Sequence, residues 1–247
     1  MPVLHFPLER LQAALGKETD EETLRERIPL FGCPVEESQG PEWSVEVFPD
    51  RPDLLSAELL GRALRAYLGY EPGLDRYDLA EPTEELVIDP SVESVRPVIV
   101  CGAAHGINLD EDGLKALMDL QEDLHWGLGA RRRKVSVGIH DARDIQGPYT
   151  YKAVDPDTVS FVPLRETEEM TMREMLEGIE KGQDYAHLVE DHDQWPLIVD
   201  ADDKVLSFPP IINGTVTTLR EGTTDVFVDV TGTDERACRQ VLNIIMA

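Results

Sequence analysis

Residues 195–235 read WPLIVDADDKVLSFPPIINGTVTTLREGTTDVFVDVTGTDE, and this stretch decides the fold. Leu197–Val199 and Val205–Phe208 are short apolar runs on either side of the polar turn Asp200–Lys204, the pattern of a β-hairpin. Val226-Phe227-Val228-Asp229-Val230 has the β-branched and aromatic make-up of a strand packed on both faces. A carboxylate inside such a run is costly to bury unless something hydrogen-bonds it, which makes Asp229 a candidate functional residue. Asp229 would equally serve as a side-chain cap of a turn at Thr231-Gly232, as Asp often does beside Gly. Ser207, Thr231 and Thr233 are the other polar groups set among apolar residues here.

Working outward, the pattern is that of an α+β protein: a small N-terminal α+β module over 1–82, then a larger mixed-sheet α/β domain over 83–247. In the first, Thr19-Asp20-Glu21-Glu22 reads as a capping box opening a helix that carries Leu24 and Ile28. Trp43 to Phe48 alternates like a strand, and Ser56 starts a helix with Leu60, Leu64, Tyr67 and Leu68 on one face before Gly69. The stretch 71–84, with Pro72, Gly73 and Pro82, has the composition of a connection. In the second, strands are expected around 86–88, 95–101, 135–139 and 149–154, with a helix carrying Leu114, Leu117, Met118 and Leu124 between them. Thr171 to Glu174 repeats the capping box, and Thr233 is expected to cap a last helix carrying Ala237, Val241, Leu242 and Ile245. That helix runs to Ala247 without a C-cap, the mark of a piece of something longer.

The chain has 247 residues, 41% of them hydrophobic, enough for one large or two modest cores. No apolar run approaches the roughly 18 residues of a membrane span, and Glu9 and Arg10 interrupt any signal peptide, so a cytoplasmic location is expected. Cys33, Cys101 and Cys238 are odd in number and widely spaced, which argues against a disulfide framework or a zinc site. The net charge of −26, with 17 Arg but only 6 Lys, describes an acid-rich, lysine-poor surface. Its self-repulsion is tolerated where the Debye length shrinks to roughly 3 Å near molar salt, so the composition reads as adaptation to a salt-saturated cytoplasm.

Gly102 and Gly106 lack the third glycine of a dinucleotide fingerprint, and Gly127-Leu128-Gly129 lacks the ending of a phosphate loop. His187 and His192 are not spaced to share a helix face, and Asp200, Asp202 and Asp203 lack the glycine and glutamate of a calcium loop, so no metal is expected. With no G-x-S-x-G elbow, any hydrolysis would use a positioned water, adequate for an activated ester. Arg131, Arg132, Arg133 and Lys134 form the one dense basic cluster, either offsetting a helix C-terminus or receiving a phosphate backbone. Four consecutive cations exceed the first need and favour the second.

Several strings resemble the β subunit of phenylalanyl-tRNA synthetases of the archaeal and eukaryotic type: Phe48 to Ser56 (FPDRPDLLS), Leu124 to Gly129 (LHWGLG) with Arg131 to Asp141 (RRRKVSVGIHD), Tyr151 to Pro156 (YKAVDP), Leu206 to Gly214 (LSFPPIING) and Asp229 to Asp234 (DVTGTD). They span nearly the whole chain in order. The resemblance implies a small module followed by the domain that hydrolyses tyrosine wrongly attached to phenylalanine tRNA, here without the part that packs on the α subunit. It implies catalytic roles for Asp229, Thr231 and Ser207 and a pocket lined also by Leu197, Asn213 and Gly232, and the basic cluster Arg131 to Lys134, read from its charge as a phosphate site, would contact the tRNA. It implies phenylalanine tRNA and the α subunit as partners, ATP and magnesium only for the complete enzyme, and, with the acidic composition, a halophilic archaeal source. Two other readings stand beside it: a non-catalytic piece that holds tRNA or the α subunit, and an unrelated small-molecule binding protein.

Overall fold

Alternation of apolar and polar residues builds the strands, and side-chain caps set where the helices begin. The computed structural model describes residues 2–38, 40–73 and 75–247. Two compact units emerge: residues through Ala80 with Lys115–Gly127 and Ala247, and Glu81–Leu114 with Leu128–Met246.

The first unit contains β1 (Val3–Pro7), α1 (Leu8–Leu15), α2 (Glu21–Phe31), β2 (Val35–Glu37), β3 (Glu42–Glu46) and α3 (Ala57–Tyr67). Its antiparallel sheet runs β1-β3-β2. Leu11, Leu24, Ile28, Trp43, Val45, Leu60 and Leu64 are fully buried. Ser56 caps α3 by accepting from the Leu59 N–H at 3.1 Å, as its spacing implies. At α2 the cap falls one residue later than the sequence suggests: Asp20 accepts from the Thr23 N–H at 2.8 Å, while the Thr19 hydroxyl donates to the Lys17 carbonyl.

The second unit carries β4 (Leu86–Ile88), β5 (Val98–His105), then, beyond the start of α4 (Glu111–Trp126), β6 (Val135–Asp141), β7 (Tyr149–Val154), β8 (Ser160–Phe161), β9 (Met170–Thr171), α5 (Met172–Gly178), α6 (Glu180–Tyr185), β10 (Trp195–Val199), β11 (Val205–Phe208), β12 (Ile212–Asn213), β13 (Asp225–Gly232) and α7 (Glu235–Ile245). A five-stranded sheet runs β12-β11-β10-β7-β4 and a three-stranded sheet β5-β13-β6. The larger sheet is mixed, since β4 pairs parallel to β7 and the other pairs are antiparallel. The α+β class and the mixed sheet are thus as the sequence indicates. Thr171 makes the full capping box with Glu174 ahead of α5. At α7 the cap is Asp234, accepting from the Ala237 N–H at 3.1 Å, rather than Thr233.

The larger sheet buries both faces. Trp195, Leu197, Val199, Val205 and Phe208 pack with Met172, Met175 and Leu176 of α5, and Trp195 stacks on Phe208 with ring centroids 5.6 Å apart. Tyr149, Tyr151, Ile198 and Leu206 form the opposite face, where Phe227 of β13 joins them. Tyr149 and Phe227 stack at 4.4 Å, tying the layer between the two sheets.

Candidate functional site

β13 lies between β5 and β6, with Asp229 opposite Cys101 on one side and Gly138 on the other. Side chains alternate along a strand, so Phe227, Asp229 and Thr231 share the face toward the larger sheet. Residues paired across a ladder share a face, which adds Ser136, Gly138 and His140 of β6. The opposite face belongs to α7: a Cβ placed on Gly102 would meet Met246 and Leu242, and one on Gly232 would lie 2.6 Å from Cys238 Sγ. The sequence's apparent glycine pattern at Gly102 therefore reflects helix packing.

Asp229 is 1% exposed, and its Oδ2 stands 2.7 Å from His140 Nε2. His140 is fully buried, and its Nδ1 lies 2.7 Å from Thr217 Oγ1. A carboxylate accepts only, so in the bond to Asp229 the proton lies on Nε2. The Thr217 hydroxyl, on the far side of the ring, also lies 3.3 Å from the Gly214 carbonyl. Among the described residues no hydrogen bond reaches Asp229 Oδ1. Asp229 does not cap a turn at Thr231-Gly232, because both residues continue the strand. The order hydroxyl, imidazole, carboxylate resembles a nucleophilic triad, and all three side chains are almost completely buried, with Thr217 2%, His140 0% and Asp229 1% exposed.

Thr231 is oriented by a guanidinium. Arg96 Nε donates to Thr231 Oγ1 at 2.9 Å and Nη2 to the Thr231 carbonyl at 2.8 Å, while Ser136 Oγ lies 3.0 Å from Thr231 Oγ1. Arg96 also donates to the carbonyls of Arg132 and Arg133, and its own carbonyl accepts from the Tyr151 hydroxyl at 2.7 Å. Burial brings the Arg96 guanidinium down to about 10, with the negative charge of Asp229 among the influences opposing the fall. Burial likewise pushes the Cys101 thiol up to about 12, helped by Asp229, and raises Tyr151.

Ser207 reaches the same layer from the larger sheet. The β10–β11 ladder pairs Ile198 with Ser207 and Val199 with Val205, so Leu206 is an extra residue in a β-bulge. Ser207 therefore shares the face of Ile198 and Tyr151, and Asn213, its partner on β12, lies beside it. Among the described residues the Ser207 hydroxyl makes no side-chain hydrogen bond.

Not every residue singled out in the sequence arrives here. Leu197 points the other way, into the cluster around Trp195 and Phe208, while Ile198 packs with Tyr151 and Phe227. Gly232 is turned toward α7, where a Cβ would also come 2.2 Å from the Lys134 carbonyl; packing, not ligand contact, demands the glycine. Arg132 is buried: its Nη1 donates to the carbonyls of Pro210 at 3.2 Å and Ile211 at 2.9 Å, and its guanidinium lies 4.6 Å from the centre of the Tyr185 ring. It is thus corrected from a tRNA contact to a structural tie, while Arg131, Arg133 and Lys134 are exposed. Ala130, Arg131 and Arg132 take left-handed φ of 48°, 56° and 63°, a turn that lets the Arg132 and Arg133 carbonyls accept from Arg96. Arg96, Ser136, His140 and Thr217 were not anticipated. The signal for two of them was present in VSVGIHD, where Ser136, Gly138 and His140 alternate with Val135, Val137 and Ile139.

Among the described residues there is no cluster of three or more His, Cys, Asp or Glu side chains that could hold a metal ion, and no helix is long and apolar enough to cross a membrane.

No family model matches the chain. It is 48% identical over 247 residues to the phenylalanine–tRNA ligase β subunit of Methanothrix thermoacetophila, covering 100% of this chain and 45% of that one. The corresponding subunit of Methanosarcina acetivorans is 46% identical over 246 residues, covering 100% of this chain and 44% of its own. The chain thus spans somewhat under half the length of these curated relatives. The crystal structure of an N-terminal fragment of the phenylalanyl-tRNA synthetase β subunit from Pyrococcus horikoshii superposes with a TM-score of 0.93 at 35% identity, covering 99% of this chain and 72% of that one.

Proposed function

This chain belongs to the phenylalanyl-tRNA synthetase β-subunit family, matching its N-terminal region, and from that premise we propose that it is a proofreading hydrolase module acting on tyrosine mis-esterified to phenylalanine tRNA. The observation that carries the reading is Asp229: a buried carboxylate with one oxygen held by His140 and the other unclaimed among the described residues, on a face shared with Thr231 and turned toward the layer that Ser207 enters.

The chemistry follows from what a synthetic site cannot do. A site shaped for phenylalanine excludes the extra hydroxyl of tyrosine only modestly, whereas a second site that hydrogen-bonds that hydroxyl rejects the analogue lacking it by roughly 10⁴ to 10⁵. Asp229 Oδ1 accepts from the phenol; when phenylalanine enters instead, that oxygen is left without a donor, at about 1–3 kcal/mol. Ser207 and Thr231 offer hydroxyls to hold a water against the ester carbonyl. Attack of that water breaks the bond to the ribose oxygen, which takes up the proton, releasing tyrosine and free tRNA. Asn213 lines the substrate side next to Ser207. Exposed Arg131, Arg133 and Lys134 meet tRNA phosphates. In the complete enzyme the α subunit is a partner, and ATP and magnesium belong to the remainder of the synthetase. The acidic, lysine-poor composition supports a salt-rich cytoplasm of a halophilic archaeon as its setting.

Deacylation of tyrosyl-tRNA(Phe) by the purified chain at molar salt tests the reading, with phenylalanyl-tRNA(Phe) as the control. Asp229→Ala is expected to lower tyrosyl release by about 100-fold or more, as loss of a site-defining polar group does. Release no faster than in buffer alone would leave the non-catalytic docking piece as the better account.

A further inference from the structure

We infer that His140 is a positioning residue for Asp229: through its Nε2–H it fixes which carboxylate oxygen faces the substrate, and so sets the preference for tyrosine over phenylalanine. The inference rests on the proofreading function proposed above and gives His140, which lies in the RRRKVSVGIHD string, a role that the resemblance did not assign.

A carboxylate on a strand can rotate about its χ2 torsion and present either oxygen, and a rotating acceptor would satisfy a phenol or collect a stray water equally well. Three features remove that freedom here. Gly138, opposite Asp229, leaves room for the carboxylate to lie over the β6 backbone; a Cβ there would come 2.1 Å from Asp229 Oδ2 and 2.6 Å from His140 Nε2. Lying over Gly138, the carboxylate meets His140 at 2.7 Å, and the imidazole is fully buried, so no water competes for Nε2. The imidazole is itself held from its far side by Thr217, which follows β12 and Asn213 in the chain. His140 thus links β13 to the segment that follows Asn213. A histidine that merely filled the core would need partners, but not a partner whose second oxygen is left open.

Arg96 lies close enough to feel Asp229, yet its hydrogen bonds go to Thr231, Arg132 and Arg133, so the guanidinium supports the negative charge without covering an oxygen. His140 is the group that bonds the carboxylate directly. Without it, Asp229 would turn toward whichever donor remained, and an open oxygen aimed at the phenol would no longer be the resting state.

The test compares His140→Leu, His140→Gln and Asp229→Ala in the 247-residue chain, reading deacylation of tyrosyl- and phenylalanyl-tRNA(Phe) across substrate concentrations. His140→Leu is expected to raise KM for the tyrosyl substrate and shrink tyrosine-over-phenylalanine discrimination by about 10- to 100-fold, as loss of an orienting partner does. His140→Gln, which returns an N–H donor to the carboxylate, is expected to recover most of that preference. A folded His140→Leu variant with wild-type discrimination, beside an Asp229→Ala variant that has lost it, overturns this inference and leaves the proofreading reading standing; a wild-type chain that releases neither amino acid removes both. Should His140→Leu fail to fold, histidine ¹⁵N NMR of the wild-type chain decides. L-tyrosinamide, but not L-phenylalaninamide, should shift the Nε2–H resonance of His140, and equal or absent shifts overturn the inference.

Discussion

Gly138 and Asp229 face each other across the β6–β13 ladder so closely that a methyl group on Gly138 would come 2.1 Å from the Asp229 carboxylate oxygen. The glycine's φ is not left-handed, so the constraint is space alone. Gly138→Ala is therefore expected to push the carboxylate off His140, with an overpacking cost of about 1–3 kcal/mol measured by denaturant titration. Tyrosyl-tRNA deacylation should fall with it. A variant of unchanged stability and activity would mean that the carboxylate does not lie over Gly138.

Three thiols sit where burial opposes ionisation. Cys101 is pushed up to about 12 and Cys238 to about 11, and Cys33 is also raised, burial being the first cause in each. In the folded chain they should stay unreactive toward a disulfide reagent such as DTNB at pH 8, and all three should react once the chain is unfolded, because the thiolate is the nucleophile. A rapid reaction of Cys33 or Cys238 in the native state would contradict its burial.

The same shifts set an alkaline limit. The folded values of Cys101 and Cys238 lie above the unfolded value of 9.0, so unfolded chains release these protons first as pH rises. Their contribution to stability is complete below pH 9.0 and is lost progressively toward 11 and 12. Tyr149, also held up to about 12 from 10.0 by burial, acts in the same direction. Thermal midpoints should therefore decline on going from pH 8 to pH 11, and Cys101→Ala should flatten part of that decline.

A net charge of −26 on 247 residues predicts that added salt stabilises the chain. Raising KCl from about 0.1 M to near 1 M shortens the Debye length from about 10 Å to about 3 Å and weakens the self-repulsion. The thermal midpoint should climb steadily over that range, and a midpoint that stays level would remove the composition's claim to salt adaptation.

What could be read from the sequence was local, and what could not was set by register. The β13 run and the hairpin at 195–208 declare themselves by apolar alternation and a polar turn, and Asp229 stands out because an acid is anomalous there. Its partner His140 lies 89 residues away and is chosen by the β6–β13 pairing, which no neighbouring residue encodes. The exchange of Leu197 for Ile198 is also a matter of register: the β10–β7 pairing sets Ile198 opposite Tyr151, on the face that Phe227 of β13 joins, and Leu197 opposite Lys152. The caps at Asp20 and Asp234 differ by a single position from Thr19 and Thr233, since adjacent Thr and Asp compete for the role and the backbone angles choose.

The basic cluster divides into two physical roles, and mutation should separate them. Arg132 gives two hydrogen bonds to the carbonyls of Pro210 and Ile211 and lies against Tyr185 in the interior. Truncating it strands two buried acceptors, so Arg132→Ala should cost about 2–4 kcal/mol of stability, seen as a lower denaturant midpoint. Arg133 and Lys134 are exposed, and the nearest carboxylate to Lys134 Nζ, Asp234, is at 4.0 Å. Replacing either by Ala should leave the denaturant midpoint nearly unchanged. Each replacement should instead lower tRNA affinity at moderate salt and reduce the slope of log K against log salt by about 0.7 to 0.9, the loss of one phosphate contact. If Arg133→Ala and Lys134→Ala bind tRNA with the wild-type salt slope, the phosphate backbone lands elsewhere on the chain.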